Sequence, residues 1–464
     1  MFIGRKRELD DLEQRYKNGK FEFAVIYGRR RVGKTTLINE FIKDKEAIFY
    51  TGIEGNEKEN LEGLSKSIYS LSQDFAEASS SFTSYEEALE TVFKIAKKRR
   101  IVFVIDEYPY IAGSYITLSS ILQIIIDKNK DISKMFLILC GSSLSFMENQ
   151  VLGYKSSLFG RRTCQYKIMP FDFFEIKDYY NKFNNIDLAV IYGITGGIPL
   201  YMSLMNDFHS VEENIKRNFL VPNAYLFEEP TNLIKQECRD PSQYNSIIRA
   251  IASGSSRMSE ICTKTGLDTG LATSYLNKLM SFGIVKREIP FGTDSSRKTI
   301  YILKDFMFRF WYRFIPDNLA TINRGLADIV YNRIAPHITS FMGSVFEEIC
   351  KQYLWELNRQ GKAAITFTDL GRWWGNDQIN KRETEVDIIG TADDKTAFLC
   401  ECKWTNENVD TGVLDTLIER SKLFSFTNTY LYIFAKTGFT KGCIDKAKEY
   451  GKVKLITFDE MVKS

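Results

Sequence analysis

Two stretches of this chain bring together residue types that do chemistry. Near the N-terminus, Gly28-Arg-Arg-Arg-Val-Gly33-Lys34-Thr35-Thr36 combines two glycines, a lysine and two hydroxyls at the spacing of a phosphate-binding loop. The glycines let backbone N–H groups wrap phosphates, the lysine neutralises the β and γ groups, and a hydroxyl ligates Mg²⁺. Near the C-terminus, "TEVDIIGTADDKTAFLCECKW" (residues 384–404) plants Asp387, Glu401 and Lys403 among apolar residues, against the desolvation penalty of burying charge. Asp387 and Glu401 can hold Mg²⁺, and a lysine beside them can orient or activate a water aimed at a phosphodiester.

The elements that must position the first set follow from local pattern. "FEFAVIYG" reads as an apolar strand and "LINEFI" as a helix, so the glycine-rich turn sits between strand and helix. Downstream, "KKRRIVFVIDEYPYI" supplies a buried strand over Ile101 to Ile105 that ends in Asp106 and Glu107. An acid at that end holds Mg²⁺ through water, and the next one orients or deprotonates the attacking water. A third apolar strand, "MFLILCG", delivers Ser142 and Ser143, either to sense the γ-phosphate or simply to cap a helix. In "SLFGRRT", Arg161 and Arg162 are placed to act as an arginine finger, with a surface salt bridge as the alternative. Arg29, Arg30 and Arg31 face phosphate, a partner or solvent. "DLAVIYGITGGIPLYM" is an apolar helix broken at Gly196-Gly197 before Pro199, a bent helical lid.

These segments, with "FIGRKREL" ahead of the loop, resemble in content and order the archaeal-type ATPases of the STAND branch of AAA-like P-loop proteins. The likeness spans about half the chain. It implies ATP as the nucleotide. It also implies that the "FIGR" segment and the Gly-Gly-X-Pro turn lie near the adenine, which makes Gly4, Arg5 and Pro199 nucleotide neighbours.

Composition sets bounds without choosing a partner. The 464 residues make room for about three domains, and a formal charge of +3 is too mild to announce a nucleic-acid binder. Eight cysteines without a CxxC, and only His209 and His337, argue against a zinc site and for reduced thiols in a cytoplasm. No apolar run approaches the roughly 20 residues that span a bilayer, so a cytoplasmic protein without a membrane partner is expected.

In the middle, "YNSIIRAIASG", "RMSEICTKTG" and "DTGLATSYLNKLMSFG" read as three short helices, and "IVKREIPFGTDSSRKTIYIL" as two strands around a polar turn. That order predicts a winged helix-turn-helix. In a DNA reader, Thr273, Ser274, Asn277 and Lys278 would face bases, with Lys286, Arg287, Arg297 and Lys298 near phosphates; the alternative is a packing module. The aromatic run "DFMFRFWYRFI" is expected to be a core seam between domains.

For the second set, alternation in a regular strand puts Asp387 on one face with Glu385 and Ile389, and Glu401 with Lys403 on a face of the next strand. The turn "GTADDKTA" lets the two strands pair. Upstream, "GSVFEEICKQYLWEL" is a helix from which Glu347 reaches inward. This order resembles the PD-(D/E)xK nuclease fold from Gly343 onward, and the resemblance implies catalytic roles for Glu347, Asp387, Glu401 and Lys403. A solvated hairpin with an Asp387–Lys403 cross-strand pair is the alternative. From Phe341 to Ser464 acids outnumber bases by two, so any duplex must be held largely by other domains.

The expected fold is therefore α/β: a P-loop NTPase sheet with a helical lid, a winged helix-turn-helix and a C-terminal α/β restriction-endonuclease-like domain. Its segments are an ATPase core over 1–165, a lid over 166–240, the winged helix over 241–310, a helical connector over 311–340 and the nuclease-like domain over 341–464. In this reading Gly28, Gly33, Lys34, Thr35, Thr36 and Ser142 bind ATP and Thr35 and Asp106 hold Mg²⁺. Glu107 and Arg161 serve hydrolysis. The expected function is an ATP-driven switch coupled to a Mg²⁺-dependent nuclease acting on nucleic acid, DNA above all, in a homo-oligomer. The competing expectation is a nucleotide-dependent regulator or scaffold, binding DNA or protein, transcriptional or otherwise, whose nuclease-like fold does not cut.

Overall fold

The computed structural model describes residues 3–71, 81–238, 240–293, 298–377 and 381–463. The chain packs into two compact units: Met1–Phe171 with Ile198–Leu200, and Asp172–Gly197 with Tyr201–Ser464. Arg297 lies outside the described residues.

In the first unit, β1 (Glu22–Tyr27), β2 (Ala47–Thr51), β3 (Ile101–Asp106), β4 (Met135–Gly141) and β5 (Cys164–Lys167) form a sheet in the order β2-β3-β4-β1-β5. Every pairing is parallel. All residues of β1, β3 and β4 are buried, as their unbroken apolar runs require when both faces of a parallel sheet are covered. One face packs on Leu64, Val92, Phe93 and Ile125. The other packs on Leu12, Leu37, Ile38 and Phe41. Since the strands are parallel, their carboxyl ends share one edge, and there β1 runs into the glycine-rich loop, β3 into Asp106 and Glu107, and β4 into Ser142.

Among the described residues no single helix is long and apolar enough to cross a membrane. The helices Tyr108–Ser114 and Leu118–Asn129 are apolar together but bent by 109°, and Tyr108, Ile111, Leu118, Leu122, Ile125 and Ile126 are buried in the sheet's core.

The second unit begins with helices. The helix Asn185–Thr195 stops where Gly196 and Gly197 take left-handed φ of 62° and 67°, the conformation that ends a helix at little steric cost. Pro199, in the short segment Ile198–Leu200 that belongs to the first unit, then opens the next helix, Pro199–Ser203. Three helices, Pro241–Ala252, Met258–Thr265 and Thr269–Ser281, lead into an antiparallel ribbon of β6 (Val285–Glu288) and β7 (Ile300–Leu303). The aromatic helix Phe306–Phe314 buries seven of its nine residues. Phe310 meets Phe219 and Phe341, and the Trp311 indole N–H donates to Phe227 O at 2.7 Å, so this segment is part of the second unit's core.

A 33-residue helix, Ala327–Arg359, follows. The boundary expected at 340/341 falls inside it, because neither Pro336 nor Gly343 is accompanied by a cap and the apolar spacing runs through both. Then come β8 (Leu370–Asp377), β9 (Arg382–Thr391), β10 (Thr396–Lys403), β11 (Asn428–Ala435) and β12 (Val453–Thr457), in the order β12-β11-β10-β9-β8. β8, β9 and β10 pair antiparallel; β10, β11 and β12 pair parallel through the crossover helices Thr411–Ser421 and Lys441–Tyr450.

Candidate functional sites: a phosphate cradle and an acidic cluster

At the end of β1, a Cβ on Gly28 would stand 2.4 Å from the Ile168 carbonyl oxygen, so only glycine fits. Gly33 takes φ 87° and starts the helix Lys34–Ile42, whose free N–H groups face the loop. Lys34 is buried; its Nζ donates to Gly28 O and Arg29 O, both at 3.0 Å. Burial pushes its pKa down, with Glu107 and Asp106 partly opposing. A desolvated cation held only by carbonyls is poised to accept an anion.

Thr35 Oγ1 donates to Asp106 Oδ2 at 2.9 Å, and Asp106 Oδ1 accepts the Glu107 N–H at 2.9 Å. The hydroxyl and carboxylate expected to share Mg²⁺ thus touch each other, a hard-oxygen donor set that suits this ion. Thr36 is exposed on the same helix turn. Glu107 sits at φ 47°, in the left-handed region where a non-glycine residue is strained. Its Oε2 accepts both the Ser142 N–H at 3.2 Å and the Ser142 Oγ–H at 2.9 Å.

Gly4 (φ 66°) and Arg5 (φ 56°) form a tight turn against Phe171, and a Cβ on Gly4 would meet that ring at 2.6 Å. The Arg5 guanidinium lies 4.4 Å from the Phe171 ring centroid and donates to Val32 O at 3.4 Å and to Met169 O. Pro199 stands beside the loop, 3.6 Å from where a Gly33 Cβ would be. The residues that the resemblance implicates are therefore gathered at the loop, with Arg5 clamping the N-terminal segment to it.

Arg161 is engaged within the chain. Its Nε and Nη2 bind the Asp127 carboxylate at 2.8–3.2 Å, and its Nη1 donates to Ser157 O and Phe159 O, both at 3.0 Å. The surface ion pair is what forms here, not a projecting finger. Arg162 lies over Phe159, and Arg30 donates to Tyr110 Oη at 3.0 Å.

In the C-terminal sheet, β9 and β10 stay in register down to Ile388↔Cys400 and then part. There the Asp387 carboxylate, 7% exposed, accepts the Cys402 N–H at 2.8 Å. The expected sharing of a face by Asp387 and Ile389 fails: the β8–β9 register slips by one between Gly371 and Trp373, and Val386 and Ile389, three apart, both join one apolar cluster. A bulge breaks the alternation that the expectation assumed and re-aims Asp387.

Glu401 is equally buried, and both of its oxygens are taken: Oε1 by Lys403 Nζ at 2.7 Å, Oε2 by Arg420 Nη1 at 2.6 Å. Lys403 therefore pairs within its own strand, and not across to Asp387. Burial weighs against its charge, yet Glu401 keeps its pKa above the ordinary value. Burial, then the fields of Glu401 and Glu347, push Asp387 up to about 8. Glu347, half-buried on the long helix, is likewise raised, by burial against the pull of Arg372 and Lys351. The four residues chosen from the sequence do converge. Among the described residues, however, no group of three or more His, Cys, Asp or Glu is arranged as metal ligands.

Sequence reading missed Arg420, which arrives from the helix Thr411–Ser421 and also donates from Nε to Thr384 Oγ1 at 3.1 Å. It missed Arg372, paired with Glu385, and the backbone N–H of Cys402. None has a local signature, since each depends on a partner distant in the chain.

In the three-helix module, Ser274, Asn277 and Lys278 are exposed, while Thr273 is half-buried and bonds back to Thr269 O at 2.7 Å. On the ribbon, Lys286 is bound to Glu288 at 2.6 Å, whereas Arg287 and Lys298 are exposed.

Residues 2–205 match the family described as an ATPase domain predominantly from Archaea. An uncharacterised protein of Methanocaldococcus jannaschii is 34% identical over 409 residues, 87% of this chain and 88% of that one. The chain belongs to the archaeal-type P-loop ATPases. An uncharacterised ATP-binding protein of the same organism is 48% identical over 46 residues, 10% of this ATPase and 78% of that chain. A Walker-type ATPase of Pyrococcus abyssi aligns with 67% of this ATPase and 96% of its own length, at 19% identity and a TM-score of 0.47. Residues 311–413 match a family described as archaeal and bacterial proteins of unknown function, which assigns no chemistry to the C-terminal cluster.

Two outcomes follow for the ATPase. Gly28→Ala forces the loop away from Ile168, and nucleotide affinity measured by fluorescence titration should fall at least about tenfold. For Asp387 the folded state keeps its proton to about pH 8, whereas the unfolded chain releases it near pH 4. The folded state thus holds more protons between those values, and this group's contribution to stability falls as pH rises through the window. Asp387→Asn keeps an acceptor for Cys402 N–H and removes the charge. Without added metal it should be more stable than wild type at pH 8, by about 1–3 kcal/mol, with the gap shrinking toward pH 5 in thermal melts.

Proposed function

We propose that this ATPase is a nucleotide-driven switch coupled to a Mg²⁺-dependent phosphodiester-cleaving site in its C-terminal sheet domain, acting on nucleic acid, DNA above all. The observation that carries the reading is the convergence of Glu347, Asp387, Glu401 and Lys403 where β9 and β10 part, with Asp387 pushed up to about 8. A structural hairpin has no need of three carboxylates in one buried field, whereas a divalent cation offsets their repulsion.

In the first site, Lys34 gives up its loop carbonyls to bind the β and γ phosphates. Thr35 and Asp106 hold Mg²⁺, which neutralises phosphate charge when bound. Glu107 leaves Ser142 to orient or deprotonate water, and Ser142 is freed to meet the γ-phosphate. Ligand binding thereby redistributes the Glu107–Ser142 pair, a local change able to report nucleotide state.

In the second site, Asp387 supplies the carboxylate for Mg²⁺, an ion that takes one or two carboxylates and completes its shell with water and substrate phosphate. Lys403 aligns the attacking water, Arg420 and Lys403 hold Glu401 in place, and Glu347 stands on the helix side. The three-helix module with its ribbon is read as a winged helix, and Ser274, Asn277 and Lys278 form its exposed face. The full occupation of Glu401 by two cations favours the second reading, a regulator or scaffold whose nuclease-like domain binds without cutting.

Incubation of the full chain with plasmid, single-stranded DNA and RNA, each with ATP and Mg²⁺, separates the two. Cutting of one polymer, lost in Asp387→Ala with ATP turnover retained, is expected; binding without any cutting sinks the nuclease reading and leaves the scaffold. Glu107→Gln should keep ATP binding and lower turnover by about 10²–10⁴. Lys34→Ala should abolish turnover, and persistence of ATP hydrolysis in that variant refutes the first site.

A further inference from the structure

The charges around Glu347 do not all come from the sheet domain. Arg309, of the aromatic helix Phe306–Phe314, shares the field of Glu347 with Arg372 of β8 and Lys351 of the long helix, and Glu288 of β6 acts on these three cations. Packing fixes this arrangement. Arg313 Nη2 donates to Ser340 Oγ at 2.8 Å, and Phe310 and Phe314 meet Phe341 with ring centroids 5.6 and 6.0 Å apart, so the aromatic helix lies against the long helix less than two turns before Glu347. From the ribbon, the Phe291 N–H donates to Arg372 O at 2.9 Å, and its ring covers Gly371.

Within this cluster the hydrogen-bonding capacity is poorly used. Arg372 Nε and Glu288 Oε2 are buried without a partner. The Arg309 guanidinium, half-buried, makes no hydrogen bond or ion pair with any described residue. Burial weighs against its charge, with Glu347 the foremost compensating acid. None of the Arg309 nitrogens is among the buried atoms left without a partner, so the group opens to solvent, and a guanidinium offers five donors in a planar fork matched to carboxylate or phosphate. Two of the nearby carboxylates are taken up elsewhere, Glu385 by Arg372 and Glu288 by Lys286, which leaves Glu347 as the acid that faces the arginine.

We propose that Arg309 is the phosphate-binding residue of the C-terminal site, donating to a non-bridging oxygen of a polynucleotide phosphodiester held between it and Asp387. This rests on reading that site as one for nucleic acid. It supplies, from outside the sheet domain, the positive charge that the domain's own acid excess withholds. The site is accordingly composite: a fragment starting at residue 341 lacks the arginine and the ribbon that packs on β8.

The test is equilibrium binding of fluorescein-labelled duplex DNA, single-stranded DNA and RNA of equal length to the full chain, over a salt series with EDTA and no ATP. Wild type should bind at least one polymer, and Arg309→Met should weaken it about tenfold and lower the salt slope by about one. Arg309→Lys, which keeps the charge, should recover most of the affinity. ATP turnover at the wild-type level shows that each variant is folded, and Arg309→Gln replaces the methionine variant should that one misfold. Equal affinity and slope in wild type and the uncharged variant overturn the proposal while the nucleic-acid reading stands. Failure of wild type to bind any of the three polymers sinks that reading and the proposal with it.

Discussion

Where β9 leaves β10, a carboxylate takes over a hydrogen bond that the strand ladder can no longer supply. Asp387 accepts the Cys402 N–H, and much of the C-terminal site follows from that substitution. A backbone donor buried at a strand fork must find an acceptor, and an acid provides one at the price of desolvating its own charge. The bulge in the β8–β9 pairing also turns Asp387 off the face it would share with Ile389. Glu401 and Glu347 then add their fields, so the fork that satisfies the backbone also makes the ionisation of Asp387 costly.

The ATPase unit handles buried charge by a related device with the opposite sign. Lys34 is desolvated at the carboxyl edge of a parallel sheet and rests on two loop carbonyls. Glu107, strained in the left-handed region, is tied to Ser142 instead of standing free. Both arrangements are internally satisfied yet readily exchanged, since each consists of neutral partners that an anion or a water can replace. A preorganised site of this kind changes its hydrogen bonding on binding without rebuilding the sheet beneath it.

The ribbon's role is set by packing more than by charge. Lys286 is spent on Glu288, and Phe291 docks by backbone and ring on β8. A ribbon held this way is a structural arm of the C-terminal sheet, while the outward face of the third short helix, with Ser274, Asn277 and Lys278, stays open.

The sequence by itself determined the elements and the cradle. Glycines, the lysine and the hydroxyls of the loop, the acid pair after β3 and the buried aromatic run were legible because their meaning is local: a strand end, a turn and a helix start lie within a dozen residues. It also pointed to Asp387, Glu401 and Lys403, because charges amid apolar strand residues demand a reason, and to Glu347 on the preceding helix through the resemblance. Only the tertiary structure decided the partners. That Arg161 folds back on Asp127 and that Arg420 reaches Glu401 depend on contacts between residues far apart in the chain. The direction of Asp387 hinged on a single inserted residue, which pattern reading does not see because strand periodicity is defined only where no bulge intervenes.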